Sequence, residues 1–307
     1  MSPTQTSDPP RIYESVTELV GRTPLIQIHG HAVPGVELYA KLEAFNPGRS
    51  VKDRPALRMI REGIRTGKLT KGKTILDATS GNTGIAYAML GAALGYKVAL
   101  AVPANVSDER KRILKSFNAE VHYSSPMDGS DGAILLAREI YRKDPEKYFV
   151  PDQYNNPENP RAHALTTAEE IMGHLGDKIT HFAAGIGTSG TLIGTGRRIK
   201  ELKPSVQLVA LEPAEPFHGL EGLKHMASSI VPGIYDTAAY DRKISIDTDE
   251  SYEWVKVLAR KEGILGGLSS GGAMAGCVQL AREIEQGCIV TIFPDSGDKY
   301  LSTKVWE

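Results

Sequence analysis

The stretch Ser50-Val51-Lys52-Asp53-Arg54 sets a lysine where a helix is predicted to begin. Two glycine-punctuated loops follow it, 79–84 (TSGNTG) and 185–191 (GIGTSGT), and each leads from a predicted strand into a predicted helix. A lysine amine has an ordinary pKa of about 10.4, so it is a poor nucleophile at neutral pH until a carbonyl cofactor condenses with it. One amine with two polar loops is the layout of a cofactor site.

Around these loops, short β-rich runs alternate with helix-period runs, which predicts an α/β protein with mostly parallel sheets flanked by helices. The chain has 307 residues, more than one core usually supports, so we expect two lobes with the site in the cleft between them. The segment 151–160 (PDQYNNPENP) is too rich in proline and asparagine for either element and is predicted to cross between the lobes. Strands are predicted over 37–43, 74–77, 97–102, 120–123, 179–184, 206–211 and 288–293.

The net charge, the cysteines and the first residues limit which ligands and which compartment the sequence predicts. The formal net charge is −1, which gives no electrostatic footprint for nucleic acid or an anionic membrane, so small metabolites are the expected ligands. The two cysteines, Cys277 and Cys288, lack metal-ligand or redox spacing, which predicts buried thiols in a reducing compartment and no metal site. The first ten residues have neither a basic start nor an apolar core, so we expect a cytoplasmic protein without a signal peptide.

The second loop has the composition of a phosphate site, with backbone amides, hydroxyl groups and a helix start together. Its members are Gly187, Thr188, Ser189, Gly190 and Thr191. The loop also satisfies G-x-G-x-x-G, and Glu212 follows 22 positions after Gly190, where a ribose-binding acid would stand in a dinucleotide fold. Dinucleotide binding is therefore a rival interpretation, although it does not explain Lys52 or the first loop.

The first loop and a third polar turn carry the remaining candidate ligands. The first loop suits a carboxylate, and the Asn82 amide is able to bond a phenolic oxygen such as that of pyridoxal phosphate. An ordinary capping turn is the alternative. The third turn, 267–272 (GLSSGG), opens a helix and presents Ser269 either to a ring nitrogen or only as an N-cap.

Five motifs occur in the order found in one family of enzymes. They are residues 46–54, 79–84, 187–191, 267–272 and 294–303 (PDSGDKYLST). The chain resembles the cysteine synthase (O-acetylserine sulfhydrylase) and cystathionine β-synthase family over about 12–305, and it is most similar to the B-type and O-phosphoserine sulfhydrylases. The resemblance implies a fold-type II pyridoxal-phosphate enzyme, with residues 1–46 and 156–307 as the large cofactor-binding lobe and 47–155 as a small mobile lobe.

The resemblance also implies roles for individual residues. Lys52 would form the Schiff base and then act as acid and base at the substrate α-carbon. Asn82 would bond the phenolic oxygen of the cofactor, the loop from Gly187 to Thr191 would hold its phosphate, and Ser269 would face its ring nitrogen. Substrate contacts would come from Thr79, Ser80, Gly81, Thr83, Gln153 and Lys224. Relatives place an arginine where this chain has Lys224, so acetate and phosphate both stay open as the leaving group, and Arg49 is either a surface residue or a second cation near the substrate.

The activity that the resemblance implies is β-replacement on O-acetylserine or O-phosphoserine. The reaction would pass through an aminoacrylate, and sulfide or another sulfur donor would then give L-cysteine. The implied assembly is a homodimer, with a sulfur-carrier protein as a candidate partner. Cystathionine β-synthase-type or diaminopropionate-forming replacement and serine or threonine dehydration are alternatives. A dinucleotide-binding oxidoreductase and a non-catalytic homologue are more remote, and Lys52 argues against the latter.

Overall fold

A computed structural model describes residues 11–30, 33–79 and 81–306. The strands are β1 (Leu25–Ile28), β2 (Val36–Leu42), β3 (Thr74–Ala78), β4 (Val98–Pro103), β5 (Glu120–Ser124), β6 (Tyr148–Phe149), β7 (His181–Gly185), β8 (Gln207–Pro213), β9 (Arg242–Ile246) and β10 (Gly287–Phe293). The helices are α1 (Asp53–Arg65), α2 (Asn82–Leu94), α3 (Asp108–Ser116), α4 (Gly129–Lys143), α5 (Glu158–Leu165), α6 (Thr167–Leu175), α7 (Gly190–Leu202), α8 (Thr248–Val257) and α9 (Leu268–Glu283).

The strands form two sheets. The larger sheet has the order β1-β2-β10-β7-β8-β9, in which only the β1–β2 pair is antiparallel. The smaller sheet has the order β5-β4-β3-β6 and is parallel throughout. Helices flank both sheets, which confirms the predicted α/β class. Central strands such as β4 (VALAVP) are buried along their whole length, as expected where helices cover both faces of a parallel sheet.

All seven predicted strands are present, with boundaries shifted by one or two residues. Strands β1, β6 and β9 were not predicted. β6 has only two residues, and β1 and β9 form the edges of the larger sheet, where burial is incomplete. In β9, Ile244 and Ile246 are buried while the residues between and before them are exposed. A short alternation of apolar and polar residues was therefore the only sequence pattern that indicated this strand.

The predicted crossing at 151–160 is partly wrong. Residues 151–157 do run from β6 to the next helix, but α5 begins at Glu158 and takes in Pro160. Proline is tolerated in the first turn of a helix because the amide it lacks would have no intrahelical partner there. Helix α5 then packs against α1 and α7, and so connects the two sheets near the start of α7.

The smaller sheet takes its strands from residues 74–149 and the larger sheet takes the rest. The lobe boundaries at 46/47 and 155/156, and the mobility of the smaller lobe, stay predictions. Among the described residues, none of the helices is both long enough and apolar enough to cross a membrane.

Candidate active site

Four helices begin around one cavity at the carboxyl ends of the strands. Lys52 is the N-cap of α1, and Asn82 is the first residue of α2. Thr191 and Ser269 are the second residues of α7 and α9. All four line the cavity, together with Gly187, Thr188 and Ser189. Because a helix N-terminus carries partial positive charge and unpaired amides, this convergence favours an anionic ligand.

A second cavity adjoins the first and shares Lys52, Asn82 and Thr188 with it. It is also lined by Thr79, Thr83, Gln153, Lys224 and Arg110, which gives it a polar wall with several cations. The structure therefore brings Lys52, the two predicted loops, Ser269 and Lys224 to one place. Ser80 lies outside the described residues.

Lys52 is fixed by the end of β10. The backbone amide of Val51 donates to the carbonyl of Pro294 at 2.8 Å, and Ser50 forms a β-bridge with Asp295. Burial lowers the pKa of the Lys52 amine, the Asp295 carboxylate works against this change, and Lys299 works with it. Lys52 thus gives up its proton more easily than an ordinary lysine, which a nucleophilic amine requires.

The second loop is closely packed at both of its inner glycines. A Cβ on Gly187 would lie 2.1 Å from the carbonyl oxygen of Gly222, and one on Gly190 would lie 2.0 Å from Asn159 Oδ1. The Asn159 amide in turn donates to Thr188 Oγ1 at 3.2 Å. Only glycine fits at these two positions, so the backbone and the hydroxyl groups form the wall of the cavity.

Asn82 belongs to a buried network that the sequence analysis did not identify. Its Nδ2 donates to Asp295 Oδ2 at 2.8 Å, and its Oδ1 accepts from Lys299 Nζ at 2.7 Å. The Tyr300 hydroxyl also donates to Asp295 Oδ2, at 2.7 Å. Lys299 and Tyr300 belong to the motif 294–303, which the sequence analysis used only to recognise the family. This motif was the only sequence feature that could have placed the two residues at the site.

The first loop combines capping and cavity-lining contacts. Thr79 Oγ1 accepts from the backbone amides of Gly81 and Gly84, both at 3.0 Å, so this hydroxyl caps the start of α2. Thr83 donates to Gln153 Oε1 at 2.8 Å, and Gln153 Nε2 donates to the Ala78 carbonyl at 2.7 Å. Gly81 is not among the residues that line either cavity, although Thr79, Asn82 and Thr83 are. A Cβ added to Gly81 would meet the side chain of Arg110.

Arg110, on α3, is a cavity residue that no motif indicated. Its side chain is buried, lies over the ring of Tyr300 at 4.9 Å and forms an ion pair with Glu221. Its Nε has no hydrogen-bond partner among the described residues. Arg110 thus joins the α3 side of the cavity to the loop after β8, which carries Glu221.

Lys224 lines the second cavity, but its charge is balanced. The Nζ atom lies 2.8 Å from Asp131 Oδ1, on α4, and the other oxygen of Asp131 accepts from the amide of Ile230. Arg49 is absent from the lining of both cavities and pairs with Asp298 at 3.2 Å on the surface. Its contacts favour the surface role.

The dinucleotide interpretation is not favoured. Glu212 Oε1 accepts from the amide of Met226 at 2.7 Å, and Oε2 pairs with Lys243 at 2.7 Å. Both oxygens are engaged by the protein, and Glu212 is not among the residues that line the cavity at the glycine loop. The acid that a ribose would need is therefore not presented to the loop.

Comparison with known proteins identifies the family. Residues 16–295 match the family model described as pyridoxal-phosphate dependent enzyme. The chain belongs to this family of pyridoxal-phosphate dependent enzymes. It is 53% identical to a cysteine synthase of Aquifex aeolicus, with 95% of this chain and 92% of the relative covered, and 42% identical to cysteine synthase B of Pseudomonas aeruginosa, with 96% and 98% covered. The crystal structure of a cysteine synthase (OASS) from Entamoeba histolytica superposes with a TM-score of 0.91 at 36% identity, covering 100% of this chain and 93% of that one.

The cofactor of the family, pyridoxal phosphate, fits the residues of the cavity. An amine with a lowered pKa, Lys52, suits its aldehyde. A hydroxyl-rich loop at the start of α7 suits its phosphate, and an amide at Asn82 and a hydroxyl at Ser269 suit its ring oxygen and nitrogen. The donor set thus offers one group for each polar part of the cofactor, which agrees with the family assignment.

Proposed function

We propose that the chain is a cysteine synthase, which replaces the β-substituent of an O-activated serine with sulfide to give L-cysteine. The observation that carries the proposal is the Lys52 amine, with its lowered pKa, at the point where α1, α2, α7 and α9 begin. The cysteine synthases of Aquifex and Pseudomonas, which match almost the whole chain, support the same activity. Cystathionine β-synthase-type and amine-dependent replacement are not favoured.

We assign the cofactor-facing roles as follows. When bound, pyridoxal phosphate supplies an aldehyde and a ring that accepts electrons from the substrate α-carbon. The loop from Gly187 to Thr191 would hold the phosphate with its amides and hydroxyl groups, Asn82 would donate an amide N–H to the ring oxygen, and Ser269 would serve the ring nitrogen. Each of these residues lines the same cavity except Gly190, which lies between lining residues at the start of α7.

The substrate-facing roles belong to the second cavity. The Nζ of Lys52 accepts the α-proton of the substrate, and burial, which lowers the pKa of this amine, favours the unprotonated form that can do so. Thr79 Oγ1 already accepts two amide hydrogens, so its own proton is left to donate to the substrate carboxylate. Thr83 and Gln153 hold the adjoining wall through their mutual hydrogen bond. Ser80 and Gly81 complete the loop in this proposal.

The charges of the second cavity favour O-acetylserine over O-phosphoserine. Two cations line it besides Lys52, and each already has an acid, Asp131 at Lys224 and Glu221 at Arg110. A phosphate dianion would have to compete with these carboxylates, whereas a neutral acetyl group would not. Acetate is therefore the leaving group that we propose.

We further propose that residues 47–155 move as a small lobe that closes on the substrate. Both ion pairs support this, because Arg110 and Asp131 lie on helices of the smaller sheet while Glu221 and Lys224 lie in a loop after β8 of the larger sheet. Closure would keep water from the reacting atoms.

Assembly and location are also proposals. A homodimer would cover exposed apolar side chains such as Ile12 and Leu165, which are 94% and 52% exposed. The unpaired, buried Cys277 and Cys288 support a cytoplasmic location, since both thiols remain free. Sulfide is the proposed donor, and a sulfur-carrier protein is a further candidate partner.

The central test combines product and attachment analysis. The purified protein is incubated with O-acetylserine or O-phosphoserine and then with sulfide, thiosulfate, homocysteine, ammonia or a thiocarboxylated carrier protein. We expect cysteine from O-acetylserine and sulfide. Borohydride reduction and digestion should leave a pyridoxyl group on the peptide that contains Lys52, and Lys52→Ala should lack it. A wild-type protein without this adduct after cofactor supplementation would refute the assignment.

A further inference from the structure

We propose that Lys299 and Asp295 are positioning residues that fix the orientation of the Asn82 side-chain amide and thereby direct its second N–H toward the cofactor. The inference rests on the proposed function, since it concerns how the enzyme holds its cofactor. It gives a role to two buried charged residues that the mechanism above does not use.

The chemistry of the two partners leaves only one orientation of the amide. An ammonium group can only donate hydrogen bonds, and an ionised carboxylate can only accept them. Lys299 Nζ lies 2.7 Å from Asn82 Oδ1, and Asp295 Oδ2 lies 2.8 Å from Asn82 Nδ2. Rotating the amide by half a turn would set the ammonium against the NH₂ group and the carboxylate against the carbonyl oxygen. Both charge-assisted hydrogen bonds would be lost together.

The two partners are themselves firmly held. Lys299 is 2% exposed and also donates to the backbone carbonyl of Arg49 at 3.1 Å. Asp295 is 1% exposed and accepts from the Tyr300 hydroxyl at 2.7 Å. A buried, already anchored ion is costly to move, so the amide of Asn82 must adapt to its partners rather than the reverse.

The remaining hydrogen of the amide is the one that can serve a ligand. Asn82 Nδ2 carries two hydrogens, and among the described residues only Asp295 accepts one of them. Asn82 lines both cavities at the first residue of α2. With the other orientation, the cavity would receive a carbonyl oxygen, which repels a phenolic oxygen that carries negative charge. The network therefore selects a donor at this point of the cavity.

The test compares Lys299→Met with Lys299→Arg in the full-length enzyme. Methionine fills a similar volume without a donor, whereas arginine keeps a cation that can only donate. We measure the dissociation constant of pyridoxal phosphate by fluorescence titration and the absorbance maximum of the bound cofactor. In Lys299→Met the Asn82 amide keeps only its bond to Asp295 and is no longer held at Oδ1, so its N–H should meet the ring oxygen less well; cofactor binding should weaken by up to about tenfold, the size of one hydrogen bond, and the absorbance maximum should shift. Lys299→Arg should restore both values toward wild type.

A second variant keeps the inference testable if Lys299→Met does not fold. Asp295→Asn replaces an acceptor with an amide that can face either orientation of Asn82, so it should weaken cofactor binding and shift the absorbance in the same direction. Unchanged binding and absorbance in Lys299→Met, or equal losses in the methionine and arginine variants, would overturn the inference. A wild-type protein that takes up no pyridoxal phosphate would instead overturn the proposed function, and the inference with it.

Discussion

Replacing Gly187 with alanine tests whether the glycine loop holds the cofactor. A Cβ at this position would lie 2.1 Å from the carbonyl oxygen of Gly222, more than 1 Å short of an ordinary contact of 3.4 Å. The obstacle is backbone and cannot rotate away as a side chain could. Gly187 and Gly222 both line the two cavities, so any displacement of either segment changes the shape of the site.

The expected magnitude follows from the size of this overlap. Forcing one extra carbon into a packed region costs about 1–3 kcal/mol. Relieving the overlap must move Gly187 or Gly222, and both line the cavities, so we expect this cost to appear as weaker cofactor binding. Since about 1.4 kcal/mol corresponds to tenfold in a dissociation constant, Gly187→Ala should bind pyridoxal phosphate about 5- to 150-fold more weakly than wild type.

The assay is a fluorescence titration of pyridoxal phosphate, with urea unfolding as a check on the fold. Gly173→Ala is the matched control, because Gly173 lies in α6, is exposed, and a Cβ added there would meet no other atom within 4 Å. This control should raise the free energy of unfolding by about 0.5–1 kcal/mol and leave cofactor binding unchanged. Wild-type affinity in Gly187→Ala would refute the reasoning.

Three further predictions address stability, pH and substrate choice. Arg54→Met should lower the free energy of unfolding by about 3–5 kcal/mol in urea titrations, because it leaves the fully buried carboxylate of Glu43 without its cation. Burial raises the pKa of Asp77 to about 7, so the folded state keeps a proton that the unfolded chain releases near pH 4. The contribution of Asp77 to the free energy of unfolding should therefore fall as the pH rises from about 4 to above 7, and Asp77→Asn should remove this contribution in melts at several pH values. Asp131→Asn should lower the KM for O-phosphoserine about 5- to 10-fold by freeing the charge of Lys224, roughly the effect of 1 to 1.4 kcal/mol, with little change for O-acetylserine.

Each of these predictions has an outcome that contradicts it. Arg65→Leu breaks an exposed ion pair with Glu62 and should change stability by less than about 0.5 kcal/mol, so an equal effect in both arginine variants would count against the buried-charge argument. If the free energy of unfolding varies with pH in the same way in Asp77→Asn as in wild type, the proton that the folded state keeps does not belong to Asp77. Equal changes in KM for both serine esters in Asp131→Asn would show that the Lys224 charge does not reach the leaving group.

The sequence predicted seven of the ten described strands and the loops that border the cavity, because these depend on local patterns. Apolar runs such as β4 are read directly, and the loops at Asn82 and Gly187 are short motifs that stand next to strands. The family and its cofactor, inferred from the order of five motifs, are confirmed by the match over residues 16–295. The edge strand β9 was not predicted because it begins with exposed arginine and lysine, which leaves only three residues to show the alternation of buried and exposed side chains.

The partners of the site residues could not be predicted, since they are set by contacts between distant parts of the chain. Asn82 meets Lys299 across 217 residues, and Arg110 meets Glu221 across 111. Neither pair has a local signature. The same holds for Asp131, whose position in α4 gave no reason to expect that it would neutralise Lys224. Motifs therefore locate the groups that carry the chemistry, whereas the tertiary structure determines their charge and orientation.

The ion pairs Arg110–Glu221 and Lys224–Asp131 join the two sheets beside the cavity, so the charges at the cavity and the opening of the cavity depend on the same contacts. Glu221 and Lys224 stand three residues apart in one loop, and each pairs with a residue of opposite charge on a helix of the smaller sheet. Between them, Gly222 lies against Gly187 of the glycine loop. In the opening motion that we propose, both pairs would break together, and Glu221 and Asp131 would be freed along with Arg110 and Lys224, so the net charge around the cavity would stay the same. Opening would therefore leave Arg110 and Lys224 able to pair with an anionic amino-acid carboxylate without giving the cavity a net positive charge, and closing would return both cations to their acids.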